Sequence, residues 1–364
     1  MSENHWLHII GLGLIGGSVA RGLKDSNLRI TGWDKNEEHT RRAVEEGVIE
    51  DEFPPDKIPG GVDGLLLSIP VPAMAEVVEK IINSGAQLPG YITDVGSTKA
   101  WIYERLDELL PASCPFIGAH PMAGSEKSGF AAADPLLFEN AICVLSVPES
   151  ERSREAFTRV KDIWESLGAH IMLLEPSTHD RVVARVSHLP HLVAAGLLQT
   201  AGGPLEEQTL PLAAGGFRDT TRIAAGDPGL WRDILETNRE RIVETITEFQ
   251  NVLDHVKSLL ESESWQKLTD WLEDSRQLRE EIPSRTKGLI GSLFELRIQA
   301  PDRPGILSEV TGILGEAEIN ICDIEVLRVR EGEKGTIKLA FRRVEEKKEA
   351  ERLLNQKARG IEII

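Results

Sequence analysis

The feature that most restricts this chain lies in its first thirty-four residues. A β-prone run, Leu7-His-Ile-Ile10, ends directly at Gly11-Leu-Gly13-Leu14-Ile15-Gly16-Gly17-Ser18. An amphipathic helix carrying Val19 and Leu23 continues to about Lys24, and a second β-prone run over 28–33 ends at Asp34. Strand, GxGxxG, helix, strand and terminal acid in this register form a dinucleotide-binding fingerprint. Each part has a physical task. Gly11 permits a tight turn, Gly13 lets the backbone approach a pyrophosphate, and Gly16 allows helix and strand to pack closely. The N–H groups near Leu14 and Ile15 are placed to receive the anion. Asp34 can accept hydrogen bonds from a ribose 2′-hydroxyl and would repel a 2′-phosphate, so NAD is expected over NADP. Lys35 beside it is a residue type that can meet a 2′-phosphate.

Further strand-like runs follow at 62–69, 91–95, 115–119, 141–147 and 170–174, with helical patterns at about 72–83, 98–110 and 150–167. The alternation predicts a parallel, doubly wound sheet, whose ligands sit beyond the carboxyl ends of the strands. Three loops lie there: one starting at Ser68, one running from Asp94 through Gly96 and Ser97 to Lys99, and one from Gly118 through His120, Ser125 and Glu126 to Gly129. Ser68 and Gly96 are candidate cofactor contacts. His120 closes a strand-like run before Pro121, and an imidazole on this rim can take the proton of a substrate hydroxyl as its carbon gives up hydride. Ser97 sits where a strand becomes a helix, so its hydroxyl either caps that helix or orients the base.

The chain has 364 residues, enough for two or three domains. Its 41 Lys and Arg against 59 Asp and Glu leave a net charge of −18, which disfavours nucleic acid and anionic membrane as partners. An anionic substrate then needs a local cationic pocket. No apolar run reaches the length of a spanning helix, and no secretory pattern opens the chain. The three cysteines, Cys114, Cys143 and Cys322, form neither a CxxC pair nor a disulfide ladder. A reduced, cytoplasmic protein is expected, with no metal, since the histidines lack ligand spacing.

The glycine turn, the Asp94–Lys99 segment and the run from His120 to Gly129 together resemble the prephenate and arogenate dehydrogenases. Ser187-His188-Leu-Pro-His191, Gly215-Gly-Phe-Arg218-Asp-Thr-Thr-Arg222 and Trp231 extend the resemblance over most of residues 5–280. It implies an α/β Rossmann-like doubly wound domain at 1–172 and an all-α dimerisation domain at 173–284. The implied activity is oxidation of prephenate by NAD with loss of the ring carboxylate, giving 4-hydroxyphenylpyruvate on the route to tyrosine. His120 is implied as base with Ser97 assisting, and His191 and Arg222 as partners of substrate carboxylate. Ser125 and Glu126 are implied at the entrance, and Gly215 and Trp231 at the substrate. A guanidinium fork binds a carboxylate strongly in a closed site, which answers the need set by the net charge. His188, three residues before His191 and on the same helix face, is the more structural of the pair.

From Ser177 the apolar spacing becomes helical, with Pro190 expected to kink a long helix. Helical recurrence also covers 228–260 and 263–281, and the broad apolar faces point to a homodimer exchanging helices, against a monomeric bundle. Residues 285–292 read as a linker. Beyond it, 293–364 follow the order βαββαβ, an α+β ferredoxin-like arrangement. The segment Asp302-Arg-Pro-Gly305-Ile306-Leu307, with Asn320-Ile321 later, resembles the ACT amino-acid-binding domain. These six numbered residues are candidate contacts for a regulatory ligand, expected to be L-tyrosine; a purely structural pairing domain is the alternative. Three other activities compete with prephenate oxidation. Arogenate would serve the same chemistry, a β-hydroxyacid dehydrogenase would need a catalytic lysine on the helical domain, and a sensor of nucleotide and amino acid would be no enzyme.

Overall fold

Five strands, β1 (His5–Ile10), β2 (Leu28–Trp33), β3 (Gly64–Leu67), β4 (Tyr91–Asp94) and β5 (Phe116–Ile117), pair in parallel in the order β2-β1-β3-β4-β5. The computed structural model describes residues 5–124, 127–146, 151–203, 209–282, 294–301, 303–327, 335–357 and 360–363. The chain divides into two compact units, 1–282 and 283–364. Strand β3 is wholly buried, as expected of a central parallel strand covered on both faces. Leu7, Ile9, Val19, Leu23 and Trp164 fill the core on one side of the sheet. Ile10, Leu65, Met74, Val78 and Ile102 fill the core on the other. The crossovers are α1 (Leu14–Leu23), α2 (Glu37–Glu45), α3 (Val71–Asn83) and α4 (Ala100–Leu109).

The run expected as one strand over 115–119 divides at Gly118. Strand β6 (Ala119–Pro121) instead pairs antiparallel with β7 (Ile142–Ser146), and β7 pairs in parallel with β8 (His170–Leu174). The parallel order thus holds for five strands, and the last three form a separate sheet. A Cβ on Gly118 would stand within 2.9 Å of Ser146, Tyr103 and Lys99 side-chain atoms, so only glycine allows the chain to pass this closely. The division carries His120 out of the parallel sheet. Helix α5 (Glu151–Ser166) joins β7 to β8.

The all-helical part follows β8. Helix α6 (Pro176–Val183) runs through a π-helical turn, Ala184–His188, into α7 (Leu189–Ala201). The irregularity expected at Pro190 therefore lies just before it. Pro190 occupies the first turn of α7, where a missing N–H costs little. Next come α8 (Gly215–Thr221), a short turn Arg222–Ala225, α9 (Pro228–Thr237), α10 (Arg239–Glu261) and α11 (Trp265–Glu281). Asn238 splits the apolar run of 228–260 into two helices. Val243, Leu253, Leu260, Trp265, Leu272 and Leu278 are exposed, and no residue of α11 is buried. An apolar stripe of this extent on a single chain is the signature of an interface.

The second unit has strands β9 (Phe294–Ala300), β10 (Asp323–Leu327), β11 (Gly335–Phe341) and β12 (Glu362–Ile363), all antiparallel in the order β10-β11-β9-β12. Helices α12 (Ile306–Glu316) and α13 (Val344–Lys357) pack Val310, Leu314, Ala350 and Leu354 against Leu296, Ile298, Ile337 and Leu339. The expected βαββαβ order is present.

Candidate active site

The glycine turn shows a division of labour. Gly11 has φ +94°, and a Cβ there would lie 2.1 Å from the Ser68 carbonyl oxygen. A Cβ on Gly16 would lie 1.9 Å from the Gly11 carbonyl oxygen and 3.0 Å from the Ser68 side chain. Those two glycines and Ser68 are packing partners. A Cβ on Gly13 would meet nothing within 4 Å, so the backbone here borders open space at the start of α1. No side chain caps that helix, and the amides around Leu14 and Ile15 are left to a ligand. Asp34, at the end of β2, accepts from the Leu12 amide at 2.7 Å and the Asn36 amide at 2.8 Å, and lies 3.4 Å from His39 Nδ1. The acid is fixed beside the turn, and Lys35 points to solvent. These residues fit the pyrophosphate and adenine ribose of a dinucleotide.

At the carboxyl end of β4 the buried Asp94 organises two loops at once. Its Oδ2 accepts from the Gly96 amide at 2.9 Å and its Oδ1 from the Ala119 amide at 3.0 Å. These donors directly precede Ser97 and His120. Lys99 Nζ lies 2.6 Å from Asp94 Oδ2 and donates to the carbonyls of Gly96 (2.8 Å) and Thr98 (3.1 Å). With all three ammonium protons engaged, the pair is of the satisfied kind that tolerates burial. Ser97 is half-buried and its hydroxyl has no hydrogen-bond partner among the described residues.

The cap on α4 comes from elsewhere. Asp180 of α6 accepts from the Lys99 amide on Oδ1 (2.8 Å) and from the Ala100 amide on Oδ2 (2.9 Å). This leaves the Ser97 hydroxyl free of the capping role that its position allowed. The same Asp180 Oδ1 lies 2.8 Å from His179 Nδ1, and His179 Nε2 lies 2.8 Å from His120 Nδ1. Asn238 donates to the Asp180 carbonyl at 2.8 Å and stands 3.2 Å from His188 Nδ1. Thr98 and Thr237 hydroxyls meet at 2.8 Å. A row of buried polar groups thus joins the sheet to the helices through His120.

Burial holds His120 well below the usual histidine range, and His179, Lys99 and His188 push the same way. With Nδ1 engaged by His179, Nε2 is the nitrogen left for a substrate. His188 is buried and lowered to about 4, burial outweighing the opposite pull of Asp180. His191 stacks on Trp231 with ring centroids 3.5 Å apart and planes 14° apart. A Cβ on Gly226 would fall 2.6 Å from Trp231 Nε1, so glycine is needed where the chain crosses this stack. Both rings line a cavity of about 520 Å³ with Leu192, Arg232 and Leu235. Burial lowers His191 too, against the Ile223 backbone.

Arg222 is exposed and has no ion-pair partner among the described residues. Gly215 is exposed and has no atom within 4 Å of a Cβ position. Trp231 meets His191 of its own chain. Ser125, Glu126 and Asp302 lie outside the described residues. In the second unit Gly305 takes a left-handed φ of +85° directly before α12, which has no side-chain cap. Ile306 and Ile321 are half-buried, Leu307 and Asn320 exposed, and the Asn320 amide lies 3.8 Å from Cys322 Sγ.

The sequence reading placed Asp94 and Lys99 at the ends of a strand-end loop without giving either a role, and it missed His179, Asp180 and Asn238. One signal was available. His179 stands four residues before Val183, placing a polar pair on the stripe that helical spacing assigns to the core.

Among the described residues no helix is long and apolar enough to cross a membrane. Family models match three stretches of the chain. The prephenate dehydrogenase nucleotide-binding domain matches residues 19–173, the prephenate dehydrogenase dimerization domain 175–274, and the ACT domain 294–356. The prephenate dehydrogenase of Bacillus subtilis (strain 168) is 36% identical over 359 residues, covering 96% of this chain and 95% of that protein. That of Lactococcus lactis subsp. cremoris is 34% identical over 353 residues, covering 96% and 97%. The crystal structure of the A. aeolicus prephenate dehydrogenase in complex with hydroxyphenyl propionate and NAD+ matches with a TM-score of 0.69 at 32% identity, over 78% of this chain and 99% of that one. The chain belongs to the prephenate dehydrogenase family.

Proposed function

We propose that the protein catalyses the NAD-dependent oxidative decarboxylation of prephenate to 4-hydroxyphenylpyruvate, with His120 as the group that receives the substrate hydroxyl's hydrogen bond. The observation that carries this reading is the engagement of His120 Nδ1 by His179, which leaves Nε2 for the substrate. NAD, when bound, would supply the acceptor for the hydride of the ring carbon that bears the hydroxyl. As that carbon is oxidised, His120 Nε2 draws the hydroxyl proton, the ring carboxylate leaves as carbon dioxide, and the ring becomes aromatic. The released electron pair restores the oxygen as a phenolate, and His120 returns its proton. No net proton is needed, so an imidazole kept neutral by burial suits the task. Ser97, with its free hydroxyl on the loop held by Asp94, orients the same hydroxyl. His191 and Arg222 receive substrate carboxylates.

The exposed apolar faces of α10 and α11 support a homodimer through the helical part. In the second unit, the left-handed Gly305 and the uncapped start of α12 support an amino-acid site of the ACT kind, and we assign L-tyrosine as its ligand. Purified protein with NAD and either prephenate or arogenate, followed by absorbance of the reduced nicotinamide, tests the activity. Turnover with prephenate is expected, and turnover with arogenate alone would replace the substrate. Calorimetry with tyrosine on the full chain tests the effector, with heat and lowered activity expected together.

A further inference from the structure

The polar row behind His120 has a direction, and the direction follows from which groups carry protons. Asp180 Oδ1 accepts the Lys99 amide and Oδ2 accepts the Ala100 amide. As a carboxylate it has nothing to donate, so the proton between it and His179 belongs to His179 Nδ1. A neutral His179 protonated there presents a bare Nε2. The 2.8 Å contact from that atom to His120 Nδ1 then requires the proton on His120 Nδ1. The last nitrogen of the row, His120 Nε2, is left as a lone pair. Reversal anywhere along the row would place a proton on Nε2 and turn the acceptor into a donor.

We propose that Asp180 and His179 are positioning residues that fix the tautomer of His120, so that its Nε2 always meets the substrate as an acceptor. The same Asp180 carboxylate caps α4 across the seam between sheet and helices, and it thereby fixes the Ser97 loop relative to the base. Asn238, at the break between α9 and α10, donates to the Asp180 carbonyl. One carboxylate on a helical element thus sets both the proton placement and the loop geometry of a site carried on the sheet. His179 is 1% exposed and Asp180 2%, so water does not compete for these contacts. The other titratable groups beside His120, Lys99 and His188, have their own partners in the Asp94 carboxylate and the Asn238 amide.

The inference rests on His120 acting as the proton acceptor, and the first measurement is independent of that reading. In the substrate-free full-length protein labelled with 15N-histidine, NMR shifts report which ring nitrogen bears the proton. Spectra of His120→Asn and His179→Gln identify the two signals. Protonation of both rings at Nδ1, with both Nε2 atoms bare, is expected near neutral pH. A proton on His120 Nε2, or a doubly protonated His179, would overturn the proposal whether or not the protein oxidises prephenate. The second measurement is kinetic. His179→Leu removes the acceptor for His120 Nδ1 and should lower kcat by roughly 10²–10³-fold with KM for NAD and prephenate little changed. His179→Gln gives its amide NH2 to Asp180 and its oxygen to His120, and should restore kcat to within about tenfold of the wild type. Equal losses in the two variants, or a rise in both KM values matching the fall in kcat, would reduce His179 to a packing residue and contradict the proposal.

Discussion

Lys99 closes on Asp94 at 2.6 Å in the interior of the protein, with neither side chain more than 2% exposed. The pair spans one loop and so holds Ser97 between its two ends, while the free oxygen of Asp94 reaches across to the strand carrying His120. Lys99→Met leaves a buried carboxylate with only two amide donors. Loss of about 3–5 kcal/mol of stability is expected, read from urea unfolding midpoints, because a broken buried pair exposes the desolvation cost of the survivor. A loss below about 1 kcal/mol would show that the two amides alone hold Asp94.

Gly13 and Gly16 differ in a way that separates binding from folding. Gly13→Ala places its methyl in open space, and stability should change by less than about 1 kcal/mol while KM for NAD rises at least about tenfold. Gly16→Ala drives its methyl into the Gly11 carbonyl, and a stability loss of about 1–3 kcal/mol is expected. Thermal unfolding with and without NAD reads both effects.

The sheet and the glycine turn were legible because their signals are local: a run of apolar residues, a glycine spacing and an acid at a fixed offset. His120 was legible for the same reason, as a polar residue at a strand end. The contacts that orient it were not. His179 is 59 residues away in sequence, and helical spacing can place it on the core stripe of its own helix but cannot name its partner on another element. The break at Asn238 was hidden because apolar spacing continues across it, and the contacts with Asp180 and His188 join residues 58 and 50 positions apart. The division at Gly118 was missed because a two-residue parallel strand and a three-residue antiparallel one make a single apolar run in sequence.

Buried histidines weaken the fold at acid pH, and His5, His120 and His191, all lowered by burial, act in the same direction as His8 and His188. His8 and His188 are each lowered from an ordinary value of 6.5 to about 4 by burial. Between those values the unfolded chain binds protons that the folded chain refuses. Stability is therefore full above about pH 6.5 and declines as pH falls toward about 4, by up to about 3 kcal/mol for each group. Urea midpoints over this range should fall steadily, and His8→Gln should flatten the slope.

Arg222 is exposed and without an ion-pair partner among the described residues of a strongly acidic chain, and we assign it to a substrate carboxylate. Arg222→Gln should raise KM for prephenate by about 10²-fold, equivalent to about 2–3 kcal/mol, with kcat changed much less. Unchanged KM would remove Arg222 from the substrate site.

In the proposed reaction His120 Nε2 receives the proton of the reacting hydroxyl. His120→Asn keeps an amide near the position of Nδ1 and removes Nε2, so it isolates that atom. Steady-state formation of reduced nicotinamide from prephenate at saturating NAD should show kcat lower by roughly 10²–10⁴-fold, with NAD affinity retained. A kcat within about threefold of the wild type would contradict the account.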